Sequence, residues 1–149
     1  MDSYFVVKLF HIGLASVYFG SNWLVSRDIR RSLQLGKPLL EYLVERVDHL
    51  ERIVIPTGLL TFVTGLGLIF LAGGFAAVPW RIHVSLVLMF LLFIVGSLLA
   101  SPTWRKISLI ITNDGDLNSA GNLGKKFSDY LAIEHVLRIV ILILMVIHF

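Results

Sequence analysis

Cysteine is absent from the 149 residues, which excludes disulfides, iron–sulfur clusters and thiolate chemistry. Charge is scarce too. Only 15% of the residues are charged, where a soluble domain carries roughly a quarter. So few charges cannot solvate the surface of a water-soluble protein of this size. Methionine occurs only at positions 1, 89 and 145, a thin supply for copper handling, which favours Met and His clusters. No Gly-rich phosphate loop, Ser-His-Asp set or HExxH motif is present, so hydrolytic and nucleotide-driven roles have no support. The start, Met1-Asp2-Ser3-Tyr4, lacks a basic n-region, and no small-residue cleavage site follows the first apolar run. That run is expected to persist as a helix.

What is abundant is apolar. Hydrophobic residues make up 56% of the chain, and the mean hydropathy is +0.83. A bilayer-spanning helix needs roughly 20 mostly apolar residues, and four stretches qualify. They run from Tyr4 to Val25, Ile53 to Gly73, Ile82 to Ser101 and Tyr130 to Phe149. None alternates apolar with polar residues as a barrel strand would. The expected fold is therefore all-α, an integral membrane four-helix bundle forming a single transmembrane domain.

Lys and Arg in the short loops set the orientation. The first connection holds Arg27, Arg30, Arg31, Lys37, Arg46 and Arg52, and the third holds Arg105, Lys106, Lys125 and Lys126. The second, 74–81, holds only Arg81. Loops one and three are thus expected in the cytoplasm, with both termini on the outer, periplasmic side of a bacterial-type inner membrane. This basic balance suits topology and anionic lipid, not nucleic acid. Trp23, Trp80 and Trp104 all fall at predicted interfaces, as an aromatic belt would place them.

Residues 38–52 carry Leu39, Leu40, Leu43, Val47 and Leu50 at helical spacing among charges. They read as an amphipathic cytoplasmic helix or an extension of the second span, with Pro38 in its first turn. Residues 112–124 are rich in Asn, Asp, Gly and Ser and read as a mobile loop.

Ionisable side chains inside a membrane are functional candidates by default. His11 lies seven residues into span one, and His83 lies four residues after Pro79 at the start of span three. At about 1.5 Å rise per residue the two share nearly one depth. Lys8 stands one turn before His11, and Arg81 is at the same outer boundary. Facing imidazoles beneath two cations suit a b-type haem, with His11 and His83 on the iron and Lys8 and Arg81 at the propionates. Gly13, Gly20, Gly58, Gly65 and Gly67 would let a macrocycle or a helix approach the backbone. The plainer alternative makes His83 an interfacial residue and Lys8 a snorkelling one. His148 is an outer-interface residue or a competing partner for His11.

At the cytoplasmic side His49 precedes span two and His135 begins span four. A second haem or a quinone fits that geometry. Glu134 and Arg138 are four apart on one helix face, the spacing of a plain ion pair. Thr57, Thr61 and Thr64 lie on one side of span two and can bond back to their own backbone.

Lys8-Leu-Phe-His11 with Phe19-Gly20 and Arg27 resembles the start of the HemJ-type protoporphyrinogen oxidases and the CopD-like membrane proteins related to them. The run from His49-Leu-Glu-Arg52 through Pro56-Thr-Gly58 to Thr64-Gly65 resembles the family's second span, and Trp80-Arg-Ile-His83-Val-Ser85 resembles its third. The likeness covers about two-thirds of the chain. It implies a four-helix membrane fold and haem b held by a span-one histidine, matched by His11, and a span-three lysine. The lysine position falls on or near Ser85, with His83 beside it, and the family's Asn-Glu-x-Pro is replaced by Ile133-Glu134-His135-Val136. These departures point away from porphyrinogen oxidation and towards a small cytochrome b-like electron-transfer subunit, with other membrane or redox subunits as partners. The alternatives are a HemJ-like porphyrinogen or quinol oxidoreductase and a non-haem structural or copper-handling subunit.

Overall fold

The computed structural model of the chain describes residues 3–21, 25–35, 37–113, 115 and 117–146. Asn22, Trp23 and His148 lie outside the described residues. Among the described residues six α-helices carry the fold: α1 (Ser3–Gly20), α2 (Val25–Leu35), α3 (Lys37–Leu71), α4 (Trp80–Ile94), α5 (Ser101–Thr112) and α6 (Leu117–Val146). A six-residue π turn, Val95–Ala100, joins α4 to α5 without a break, and a short 3₁₀ turn spans Phe75–Ala77. No strand occurs among the described residues.

Among the described residues three stretches are long and apolar enough to cross a membrane: Ser3–Gly20, Leu39–Leu71 and Trp80–Thr112. The last two are 33 residues each, about 50 Å of helix, well beyond the ~30 Å hydrocarbon core of a bilayer. The excess length is the amphipathic sequence. Residues 38–52 continue directly into the second span, because Leu40, Leu43 and Val47 keep one buried stripe that runs on to Val54. α3 therefore passes through Pro56 unbroken.

The segment expected to be a mobile loop is largely helical, which corrects the reading of 112–124. Helix α6 already starts at Leu117, and its Ala120, Phe127 and Leu131 are buried. Asn and Gly lower helix propensity by less than one kcal/mol or so each, and packing on α5 outweighs that. Trp104 is also corrected. It is 1% exposed, its indole Nε1 donating to Asp48 Oδ1 at 2.9 Å. Trp80, in contrast, is exposed.

Helix α1 packs on α3, α4 on α6, and α5 on α6 and α3, while α2 lies across α3 and α6. Two apolar clusters result. One joins Val25 and Ile29 of α2 to Leu40, Leu43, Trp104, Ile107 and Phe127. The other joins Tyr18, Phe19, Val54, Met89, Leu92 and Ile141. The exposed Arg46–Asp28 pair, 2.7 Å, ties α2 to α3.

Gly58 and Gly65 are the points of close approach between α1 and α3. A Cβ at Gly58 would sit 2.6 Å from the Tyr18 ring, and one at Gly65 would sit 3.2 Å from the His11 ring. Gly13, Gly20 and Gly67 have open space where a Cβ would be, so no neighbouring helix approaches the backbone closely at those three. The turn after α3 uses Gly73 and Gly74 at φ of 104° and 93°, a region that side chains with a Cβ rarely adopt.

Candidate functional site

His11 meets α3, not α4. Its Nδ1 is 2.9 Å from Thr64 Oγ1. The Thr64 hydroxyl is itself directed at the carbonyls of Leu60, 2.7 Å, and Thr61, 3.1 Å. Its single proton is thereby committed, so the hydroxyl accepts and His11 Nδ1–H donates. That bond selects one tautomer, in which Nε2 carries the lone pair. No partner for Nε2 occurs among the described residues. A threonine stripe that first satisfies itself on its own helix (Thr57 to Ile53, 2.7 Å; Thr61 to Thr57, 2.7 Å) thus becomes an acceptor surface for α1. Lys8 stands one turn from His11, exposed, its Nζ 6.0 Å from the centre of the Tyr4 ring.

His83 is differently placed. Its Nδ1 is 3.4 Å from the Pro79 carbonyl, at the long limit of a hydrogen bond, and its ring lies 6.0 Å from that of Phe75. Arg81 beside it is half-buried. His11 and His83 belong to different helix pairs, α1 with α3 and α4 with α6, and each has its own local contacts. Ser85, one turn after Arg81, is buried and its hydroxyl donates to the Arg81 carbonyl at 2.9 Å.

A haem imposes one clear donor requirement, an imidazole whose second nitrogen is held by a hydrogen bond. His11 fits it. Among the described residues no group of three or more His, Asp or Glu converges as a cage for a bare metal ion.

The second constellation divides. His49 is exposed on α3 and His135 is half-buried on α6, and neither lines the cavity nearby. That cavity, about 270 Å³, lies between Tyr18, Glu51, the π turn, Glu134 and Arg138. The Glu134–Arg138 ion pair closes at 2.9 Å with both residues almost fully buried, 5% and 3% exposed. The guanidinium carbon also lies 5.0 Å from the centre of the Tyr18 ring, a cation–π contact. Arg138 Nε and Nη1 are buried without a partner among the described residues.

The π turn shapes this wall. Ser101 N–H reaches back to the Gly96 carbonyl, the wide bond that defines the turn. Pro102 follows at once, and its ring and missing N–H disfavour an ordinary α-turn there. At Gly96 a Cβ would come within 3.3 Å of Glu134 Oε1, so glycine admits the carboxylate. The i,i+4 spacing of Glu134 and Arg138 is visible in the sequence, and so is their position inside an apolar run. The cavity is not, because its walls come from five separate segments. No protein-family model, curated protein or solved structure matches this chain.

Proposed function

We propose that this chain is a four-span integral protein of a bacterial-type inner membrane, with both termini outside, that binds haem b and serves in electron transfer as a small cytochrome b-like subunit. The observation that carries the reading is the His11–Thr64 bond at 2.9 Å. It holds one imidazole in the ligating tautomer, the role that outer-shell partners play at metal sites.

His83 is the proposed second axial ligand, with Lys8 and Arg81 at the propionates. Because α1 packs mainly on α3 and α4 on α6, a macrocycle bridging His11 and His83 would lie between the two helix pairs. The group would supply one-electron transfer when bound. The polypeptide's part is to orient His11, to keep the site apolar and to offer cations at the rim. The fourth span is the apolar part of α6 from Tyr130, where the Glu134–Arg138 pair cancels its own charge. Loops of opposite Lys and Arg content support the orientation, and a chain with so little surface outside its helices suits work beside other redox subunits.

The test is an absorption spectrum of the detergent-purified protein, oxidised and then reduced with dithionite. A reduced α-band of b-type character is expected, lost in His11→Ala and His83→Ala. A featureless spectrum after haem supplementation overturns the reading.

A further inference from the structure

The cavity beside Arg138 is separate from the haem reading, since neither His11 nor His83 lines it. We propose that it binds the ring of a neutral, lipid-soluble carbonyl compound, the chemistry of a membrane quinone. The proposal rests on the bundle spanning a membrane and is independent of haem.

Its hydrogen-bonding character is unusual. Arg138 is 3% exposed, yet its Nε and Nη1 point to no acceptor among the described residues. Buried N–H groups of a guanidinium are costly to leave unmade, and an acceptor on a ligand would complete them. The charge balance selects the kind of acceptor. One guanidinium and two carboxylates, Glu51 and Glu134, line the space. An anionic headgroup would meet more negative than positive charge, whereas a carbonyl oxygen accepts without adding any.

Shape agrees with chemistry. About 270 Å³ is far more than the ~30 Å³ share of one water and suits a one- or two-ring head. Most of the remaining lining is apolar, including Val54, Leu92, Phe93 and Leu131. The rim residues Ile55 and Ser97 are exposed on the outside of the bundle. In a bilayer that opening faces acyl chains, so the ligand arrives laterally from lipid.

The experiment measures tryptophan quenching by decylubiquinone and menadione with the full chain in nanodiscs, since Trp104 packs in the cluster that contributes Ala100 and Phe127 to the cavity wall. Failure to enter nanodiscs would tell against the membrane reading itself and is scored separately. Saturable quenching is expected, weakened about tenfold in the double variant Glu134→Gln/Arg138→Gln, which removes charge-assisted bonds without leaving a lone charge. Ser97→Phe narrows the exposed rim without touching the ion pair and should weaken binding as well; it carries the test if circular dichroism shows that the double variant does not fold. His11→Ala should leave quenching intact. Absence of saturable quenching, unchanged affinity in folded variants, or displacement of both quinones by decanoate, which would assign the space to an acyl anion, overturns the proposal.

Discussion

The ring of Tyr18 occupies the space that a side chain at Gly58 would need, with the ideal Cβ only 2.6 Å from its Cε2. The ring cannot retreat freely, because the Arg138 guanidinium covers it at 5.0 Å and the residue is buried at 5% exposure. This single contact couples α1, α3 and α6.

Gly58→Val should therefore loosen α1 from α3 and disturb the ion pair at once. Overpacking of this kind costs about 1–3 kcal/mol. The measurement is the midpoint of unfolding in a detergent titration, with Gly67→Val as control, since nothing lies within 4 Å of a Cβ there. Equal midpoints for the two variants would show that the Tyr18 contact is slack.

Thr64→Val keeps the shape of the side chain and removes the acceptor of His11 Nδ1–H. Haem affinity should fall by roughly tenfold or more, the range found when an outer-shell partner is lost. Thr64→Ser, which restores the hydroxyl, should recover most of it. A Soret titration of the three proteins decides, and indifference to Val would remove Thr64 from the site.

The buried pair should behave asymmetrically. Arg138→Met alone strands the Glu134 carboxylate and is expected to destabilise by about 3–5 kcal/mol, while Glu134→Leu/Arg138→Met should cost far less, because paired removal leaves no bare charge. If the single and double variants unfold alike, the pair is solvated and the cavity is wetter than its lining implies.

The exposed Arg46–Asp28 bridge, 2.7 Å, should contribute little in spite of its short distance. Arg46→Ala is expected to shift stability by about 1 kcal/mol at most. A larger loss on unfolding would mean that α2 depends on that bridge and not on Val25 and Ile29 in the core.

The cores of three spans were legible because an apolar run of that length has few other fates. Their lengths were not. The spacing of 38–52 allowed both a separate amphipathic helix and an extension of the second span, and the packing of Leu40, Leu43 and Val47 against α2 and α5 decides for the extension. Residues 117–124 misled for the same reason, since Ala120 and Gly124 are small residues whose burial depends on a neighbouring helix. Histidine depth could be counted along each helix, but rotation about the axis could not, so the choice of Thr64 as partner of His11 was out of reach. Glu134 and Arg138 were recognisable as a pair. Their unused N–H groups and the cavity beside them depend on Gly96 and the π turn, which a one-dimensional pattern does not encode.

The π turn has a consequence for register. The buried stripe of the α4–α5 rod passes through Leu92, Gly96, Ala100 and Trp104 in consecutive steps of four, although an α-helix returns to one face after 3.6 residues. Each such step overshoots the face by about 40° at 100° per residue, and the wide turn, which rotates less per residue, absorbs the accumulated overshoot. It acts as a phase corrector between the two halves of the rod. Forcing all six residues of 95–100 into a plain α-helix would swing everything beyond them by about 100°, carrying Trp104 away from Asp48.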